Sequence, residues 1–245
     1  MAYTFSSRVR LSESDENGKL TLPGILDYYQ DCCTFQADSI HQGAKDMKKR
    51  GRVWVLSSWQ VVIERFPEEG ESIIVSTMPY QLKGFFGLRN FTMDTAEGER
   101  LSYANSVWTN LNIDTGIPER LTEKDLAGYV LDEKLPMEYA SRKIALLPIQ
   151  KEYPPFEVQK QNLDWNHHVN NCQYIHMAME YLPEGRIIRQ LRAEYKQQAH
   201  LGDLIYPTFA RNQDIIQVQL NDASGSPYCV AEVNIDSQVN GNKGI

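Results

Sequence analysis

Nowhere in its 245 residues does the chain string together the roughly 18 apolar residues that a membrane-crossing helix needs, so no membrane span is expected. Its start, MAYTFSSRVRLSESDENG, is polar and soon acidic, without the apolar stretch of a secretory signal. Basic residues are in the minority: 25 Lys and Arg against 32 Asp and Glu leave a net charge of −7. That balance argues against nucleic acid as a partner, while leaving room for a local basic patch. Cysteine is scarce. Cys32, Cys33, Cys172 and Cys229 form no C-x-x-C pair, so reduced thiols and a cytoplasmic location are expected. Also lacking are G-x-S-x-G, G-x-x-x-x-G-K-[ST], H-E-x-x-H and G-x-G-x-x-G, which weakens simple hydrolase, kinase, zinc and dinucleotide readings. None of His41, His167, His168, His176 and His200 stands at zinc-ligand spacing with cysteine, so neither a metal nor a cofactor is expected.

What is present is an ordinary globular composition, 42% hydrophobic and 23% charged, too apolar for wholesale disorder. Residues 21–41 place Leu22, Ile25, Leu26, Tyr29, Cys33, Ala37 and Ile40 on one helical stripe, with Pro23 in the first turn and Gly43 after the end. Strand-like segments follow: WVLSSWQVVIERFP, GESIIVSTM, GLRNFTMD and RLSYANSVWTNLNID, with a turn at Ala96-Glu97-Gly98. A second helix is expected at 170–182, then RQLRAEYKQQAHLGDLIYPTFA, DIIQVQLND and SPYCVAEVNID as strands. One helix and then several strands, twice, is an α+β pattern built on antiparallel sheets.

An internal repeat supports that division. WQVVIERFPEEGESI at 59–73 aligns without gaps on LRAEYKQQAHLGDLI at 191–205, an offset of 132 that matches Gly70 with Gly202 and Ile73 with Ile205. The helices align at an offset near 149, so the first half carries about 17 extra residues, Lys45, Lys48, Lys49, Arg50 and Arg52 among them. The expected organisation is an N-terminal unit at 1–128, a connection at 129–157 containing Pro154-Pro155, and a C-terminal unit at 158–245 whose tail frays after about 237.

Chemistry concentrates in Leu163-Asp164-Trp165-Asn166-His167-His168-Val169-Asn170-Asn171-Cys172-Gln173-Tyr174-Ile175. Asp164, Asn166 and His168 stand at i, i+2 and i+4 just before a helix, a spacing that lets a loop turn three side chains toward one point. The helix start also offers N–H groups and a positive dipole end to a developing oxyanion. The same residue types serve helix capping, and spacing alone leaves the two uses open.

These residues resemble a known family. LDWNHHVNNCQYI is similar to the D-x-N-x-H-V-N-N-x-x-Y signature of acyl-acyl carrier protein (acyl-ACP) thioesterases. WVLSSWQVVIERFPEEGE, SVWTNLNIDTGIPERL and EYKQQAHLGD resemble further stretches of that family, in the same order, over most of residues 5–235. The resemblance implies a double hotdog fold, two tandem units each wrapping an antiparallel sheet around a helix. It implies hydrolysis of the fatty acyl-ACP thioester, releasing free fatty acid and ending chain elongation. Acyl carrier protein is the implied partner, and Asp164, Asn166 and His168 take the places of the family's catalytic trio.

Plant members carry an acidic residue and then Cys where this chain has Gln198 and Ala199, so no cysteine nucleophile is available there. Gln198 is a supporting candidate that could hydrogen-bond His168 or water, or simply face solvent. Asp15, Asn17 and Lys19 correspond in the first half to the trio, without its histidine, so one active centre per chain is expected, the first unit supplying an acyl-chain pocket. Tyr28, Tyr29 and Phe35 could line that pocket or be plain core. The basic cluster from Lys45 to Arg52 could dock the acidic carrier or be a solvated loop, with Arg186, Arg189 and Arg192 as a rival. Acyl-coenzyme A hydrolysis and non-catalytic acyl binding remain as alternatives, and a homodimer is left open.

Overall fold

The computed structural model describes residues 2–164 and 166–236, and the tail expected to fray after about 237 lies outside the described residues. The chain divides into two compact units, Met1–Arg142 and Lys143–Ile245.

In the first unit β1 (Tyr3–Arg8) is followed by α1 (Leu22–Ser39), α2 (Ala44–Lys49), β2 (Arg52–Ile63), β3 (Ser72–Lys83), β4 (Phe86–Thr95), β5 (Arg100–Asn112) and α3 (Glu123–Leu126). The strands lie in the order β1-β3-β4-β5-β2, all antiparallel. Helix α1 starts where Thr21 Oγ1 accepts the Gly24 N–H at 3.1 Å, one of the donors a helix start leaves orphaned. Its inner stripe buries Leu22, Ile25, Leu26, Tyr29 and Cys33. Tyr29 packs 5.1 Å from Phe91 and 6.1 Å from Trp59, ring centre to ring centre. Fully burying a large apolar side chain contributes roughly 1.5–3 kcal/mol, so this aromatic cluster anchors helix to sheet. The Tyr29 hydroxyl meets Ser102 Oγ at 2.7 Å, which satisfies it inside the core. Tyr28 donates to Glu13 at 2.7 Å, and Phe35 is 43% exposed with its edge against Phe5.

In the second unit β6 (Lys151–Glu152) and β7 (Phe156–Glu157) precede α4 (Asn171–Met179), β8 (Ile188–Tyr195), β9 (Leu204–Asn212), β10 (Ile215–Asn221) and β11 (Pro227–Ile235). The order is β8-β11-β10-β9-β6, and β7 also pairs with β9. Helix α4 buries Cys172, Tyr174, Ile175, Met177 and Ala178 and lies against β10 and β11. At 9 residues it is shorter than the helix expected at 170–182, stopping ahead of Pro183. The stretch RQLRAEYKQQAHLGDLIYPTFA is β8 and β9 joined by a loop at 196–203.

The segment at 129–157 is held by buried polar side chains of the strands in each unit. In the first unit Asn90 Oδ1 accepts from Leu135 N at 3.1 Å, and Gln60 Oε1 from Ala140 N at 2.8 Å. In the second, Glu194 accepts from Ile144 N and Gln217 from Leu147 N, each at 2.9 Å. These four residues are buried, and buried polar groups need partners, so the irregular backbone and the polar strand residues satisfy one another. Cys32, Cys33, Cys172 and Cys229 are buried thiols, and burial pushes Cys32 up to about 12. Among the described residues no helix is long and apolar enough to cross a membrane.

Candidate functional site

The candidate trio occupies a tight turn. An isolated bridge between Leu163 and Val169 closes its base, and Asp164 N donates to His168 O at 2.8 Å. Asp164 Oδ1 accepts the Asn166 N–H at 2.8 Å and the His168 N–H at 3.4 Å. The Asn166 amide nitrogen stands 3.5 Å from Asp164 Oδ2. His167 sits at φ 63°, a left-handed conformation in which a histidine is uncommon but tolerated. Its side chain is exposed, and its place in the turn is a backbone role.

The first unit builds the same turn. Asp15 Oδ1 accepts the N–H groups of Asn17 and Lys19 at 2.9 Å each, and Asp15 N donates to Lys19 O at 2.8 Å. Gly18, at φ 69°, takes the left-handed position that His167 takes in the second unit. Asp164 therefore holds backbone, as Asp15 does, and Asp-x-Asn is a turn-building pattern in both halves. Asp and Asn recur in both turns, whereas the fifth position holds Lys19 in one and His168 in the other.

Beyond the turn, Val169 N donates to Ala199 O at 2.9 Å and Asn170 N to Asn162 O at 2.9 Å. Asn170 caps α4, its Oδ1 accepting the Cys172 N–H at 2.8 Å while its carbonyl takes Gln173 N at 2.9 Å. Capping thus occupies two of the donors at the helix start that an oxyanion would use. Gln198 is exposed, with no side-chain hydrogen bond among the described residues. Its neighbour Ala199 is fully buried, and Ala199 N donates to the Tyr174 hydroxyl at 2.8 Å.

His168 is half-buried, and its ring meets that of His200 edge to face, 4.8 Å between centres and 88° between planes. Burial is the largest influence holding the His168 imidazole below its ordinary value near 6.5. Repulsion from His200 lowers it further, Asp164 pulls the other way, and His167 adds a smaller push downward. A neutral imidazole that can accept a proton is therefore the resting form at neutral pH. His200 and Tyr174 escaped sequence reasoning. The signal was faint: the 132-residue offset sets His200 opposite Glu68, so a second imidazole appears where the first half has a carboxylate. Among the described residues no group of three or more His, Cys, Asp or Glu side chains could hold a metal ion.

The basic stretch is less free than it reads. Arg50 lies 3.3 Å from Asp125, and Arg52 lies 3.0 Å from Glu119 and 3.7 Å from Asp125. Lys45, Lys48 and Lys49 are exposed on or beside α2, Lys49 with Asp46 at 3.2 Å. In the rival group, Arg189 pairs with Asp236 at 2.8 Å and Arg192 with Glu232 at 2.6 Å.

Residues 1–129 match the family model of the acyl-ACP thioesterase N-terminal domain, and residues 148–238 that of the C-terminal domain. A chloroplastic acyl-acyl carrier protein hydrolase of Cuphea viscosissima is 30% identical over 169 residues, 62% of this chain and 40% of the relative. A chloroplastic palmitoyl-acyl carrier protein thioesterase of Arabidopsis thaliana is 28% identical over 168 residues, with the same shares. The chain thus spans about 40% of the length of these relatives. The solved acyl-ACP thioesterase from Bacteroides thetaiotaomicron superposes with a TM-score of 0.87 at 23% identity, covering 96% of this chain and 98% of that one. The 12:0-ACP thioesterase of Umbellularia californica superposes at 0.83 and 18% identity, covering 97% and 98%. The expected α+β double hotdog is therefore the fold, and with both domain models matched in order along most of its length, this chain belongs to the acyl-ACP thioesterase family.

Proposed function

We propose that the protein hydrolyses the thioester of fatty acyl-ACP, releasing the free fatty acid, and that the second unit carries the reaction. The observation behind this reading is the unequal pair of turns. Two units share one Asp-x-Asn frame, and only the second places a half-buried, neutral imidazole on it. His168 accepts a proton from water as the water oxygen attacks the thioester carbonyl carbon. The tetrahedral intermediate then collapses, the carbon–sulfur bond breaks, and the departing sulfur takes the proton from His168.

Asp164, with one carboxylate oxygen tied to two backbone N–H groups, serves as a fixed negative charge that steadies the imidazolium formed in between. Asn166 is exposed at the turn and orients the water or the carbonyl. Gln198, exposed beside Ala199, has a supporting place at most. The first unit, with Lys19 in place of a histidine, supplies the acyl-chain pocket. Lys45, Lys48 and Lys49 receive the acidic carrier protein. Four buried thiols fit a reducing, cytoplasmic setting.

The test is thiol release by the pure full chain from acyl-ACP and from acyl-coenzyme A at matched acyl length. Faster turnover of the carrier-protein substrate, abolished by His168→Ala, is expected. Preference for the coenzyme substrate would reassign the carrier, and no release from either would overturn the enzymatic reading.

A further inference from the structure

The shared frame extends past the turn to the loop opposite it. Leu20 N donates to Pro67 O at 2.9 Å in the first unit, as Val169 N does to Ala199 O at 2.9 Å in the second. Glu68 N donates to Glu71 Oε2 at 2.9 Å, and His200 N to Asp203 Oδ2 at 2.8 Å. Gly70 N donates to Val9 O at 2.9 Å, and Gly202 N to Val158 O at 3.2 Å. Two of the paired bonds agree in length to within about 0.1 Å, so both units hold this loop by one scheme.

Within the frame, one pair of residues faces across the gap. In the first unit it is Lys19 and Glu68, joined by an isolated antiparallel bridge. In the second unit it is His168 and His200, whose rings meet edge to face at 4.8 Å. An opposite-charge combination in one half is thus a histidine combination in the other, on a similar backbone frame that, among the described residues, lacks the bridge in the second unit. The scaffold around His200 is firmly built: Ala199 is held at its N–H by Tyr174 and at its carbonyl by Val169, and His200 at its N–H by Asp203. The backbone that carries His200 is thus fixed, while its exposed ring stands edge to face against His168.

We propose that His200 is a positioning residue of this site: its ring, edge to face against His168, sets the orientation and surroundings of that imidazole. The inference rests on the reading of His168 as the proton-handling group and adds a partner to it. The groups facing His168 are His200 from the loop after β8 and Asp164 and His167 from its own turn. His200 faces His168 and, at 3.7 Å from its Nδ1, Asp203. With His200 gone, one source of repulsion and part of the cover over His168 go too, and His168 should protonate at higher pH.

The experiment follows the imidazole signals of His168 by NMR across pH in the wild-type full chain and in His200→Ala and His200→Phe, with kcat and KM for acyl-ACP measured on the same samples. Both variants should move the His168 midpoint upward and carry the acid limb of the kcat profile with it. His200→Ala should lower kcat roughly 10-fold, below the hundredfold or more that a direct acid–base group contributes, with KM little changed. His200→Phe keeps a ring against His168 and should retain more of kcat than Ala does. It also serves if the Ala variant folds poorly. A His168 titration identical in all three proteins would overturn the pairing, whatever the activity. A His168 midpoint that moves when His200 is replaced, in a protein whose wild type releases no thiol, would leave the pairing standing and sink the thioesterase reading instead.

Discussion

Removing one hydroxyl, by Tyr174→Phe, should loosen the loop that carries His200 without touching the candidate trio. The hydroxyl of Tyr174, itself only 2% exposed, is the acceptor for Ala199 N at 2.8 Å, and Ala199 is fully buried. Phenylalanine fills nearly the same space, so the cavity contribution is small, and the cost is that of an orphaned buried donor, about 1–3 kcal/mol. In the local opening equilibrium that is about 5- to 150-fold. The assay is amide hydrogen exchange at Ala199, with kcat alongside. Tyr29→Phe is the control, since it removes an equally buried hydroxyl in the other unit, there bonded to Ser102 Oγ at 2.7 Å. Both variants should lose stability, but Tyr174→Phe should speed exchange at Ala199 and lower kcat, while Tyr29→Phe should leave kcat near wild type. Unchanged protection of the Ala199 amide in Tyr174→Phe would refute the claim that this bond holds the loop.

Four further outcomes are expected. Asp15→Ala and Asp164→Ala each remove the acceptor for two backbone N–H groups and should cost about 0.5–1.5 kcal/mol per net hydrogen bond lost, read by urea unfolding. Only Asp164→Ala should also reduce kcat, by about 100-fold, and equal activities in the two would disprove the division of labour between the turns. Because His168 is held below 6.5 when folded, the unfolded chain binds more protons between that lowered value and 6.5. Its contribution to stability is present above about 6.5 and lost as pH falls through the folded value, and the acid limb of kcat should lie below 6.5 as well; a limb above 6.5 would count against His168 as the base. Replacing Lys48 and Lys49 by Ala should raise KM for acyl-ACP roughly 2- to 10-fold at low salt, and hardly at all at high salt, as expected for exposed charges. Arg50 stays out of that set because Asp125 already engages it, and a salt-independent KM would end the docking idea. Gln198→Glu should be neutral or harmful, because Gln198 is exposed and makes no side-chain hydrogen bond to the turn among the described residues. A large gain in turnover would mean the mechanism lacks its base.

Much about this protein was settled by sequence. Hydrophobic periodicity determined α1, because Leu22, Ile25, Leu26, Tyr29 and Cys33 recur at helical spacing and must bury together. The gapless repeat at 59–73 and 191–205 determined that the chain holds two like units, and the spacing of Asp164, Asn166 and His168 marked the turn. What sequence left open was which of those side chains do chemistry and which hold backbone. Asp15 and Asp164 read alike as residues, and only folded geometry shows both accepting the same pair of N–H groups. Strand β1 went unread because its alternation of half-buried and exposed polar residues gains meaning only when Tyr3–Arg8 pairs with β3. The contact of His168 with His200 was out of reach for a related reason. Thirty-two positions separate them along the chain, and local periodicity carries no information across a helix and a strand. Tertiary structure decided that contact, through one backbone bond from Val169 to Ala199 that brings the two rings edge to face.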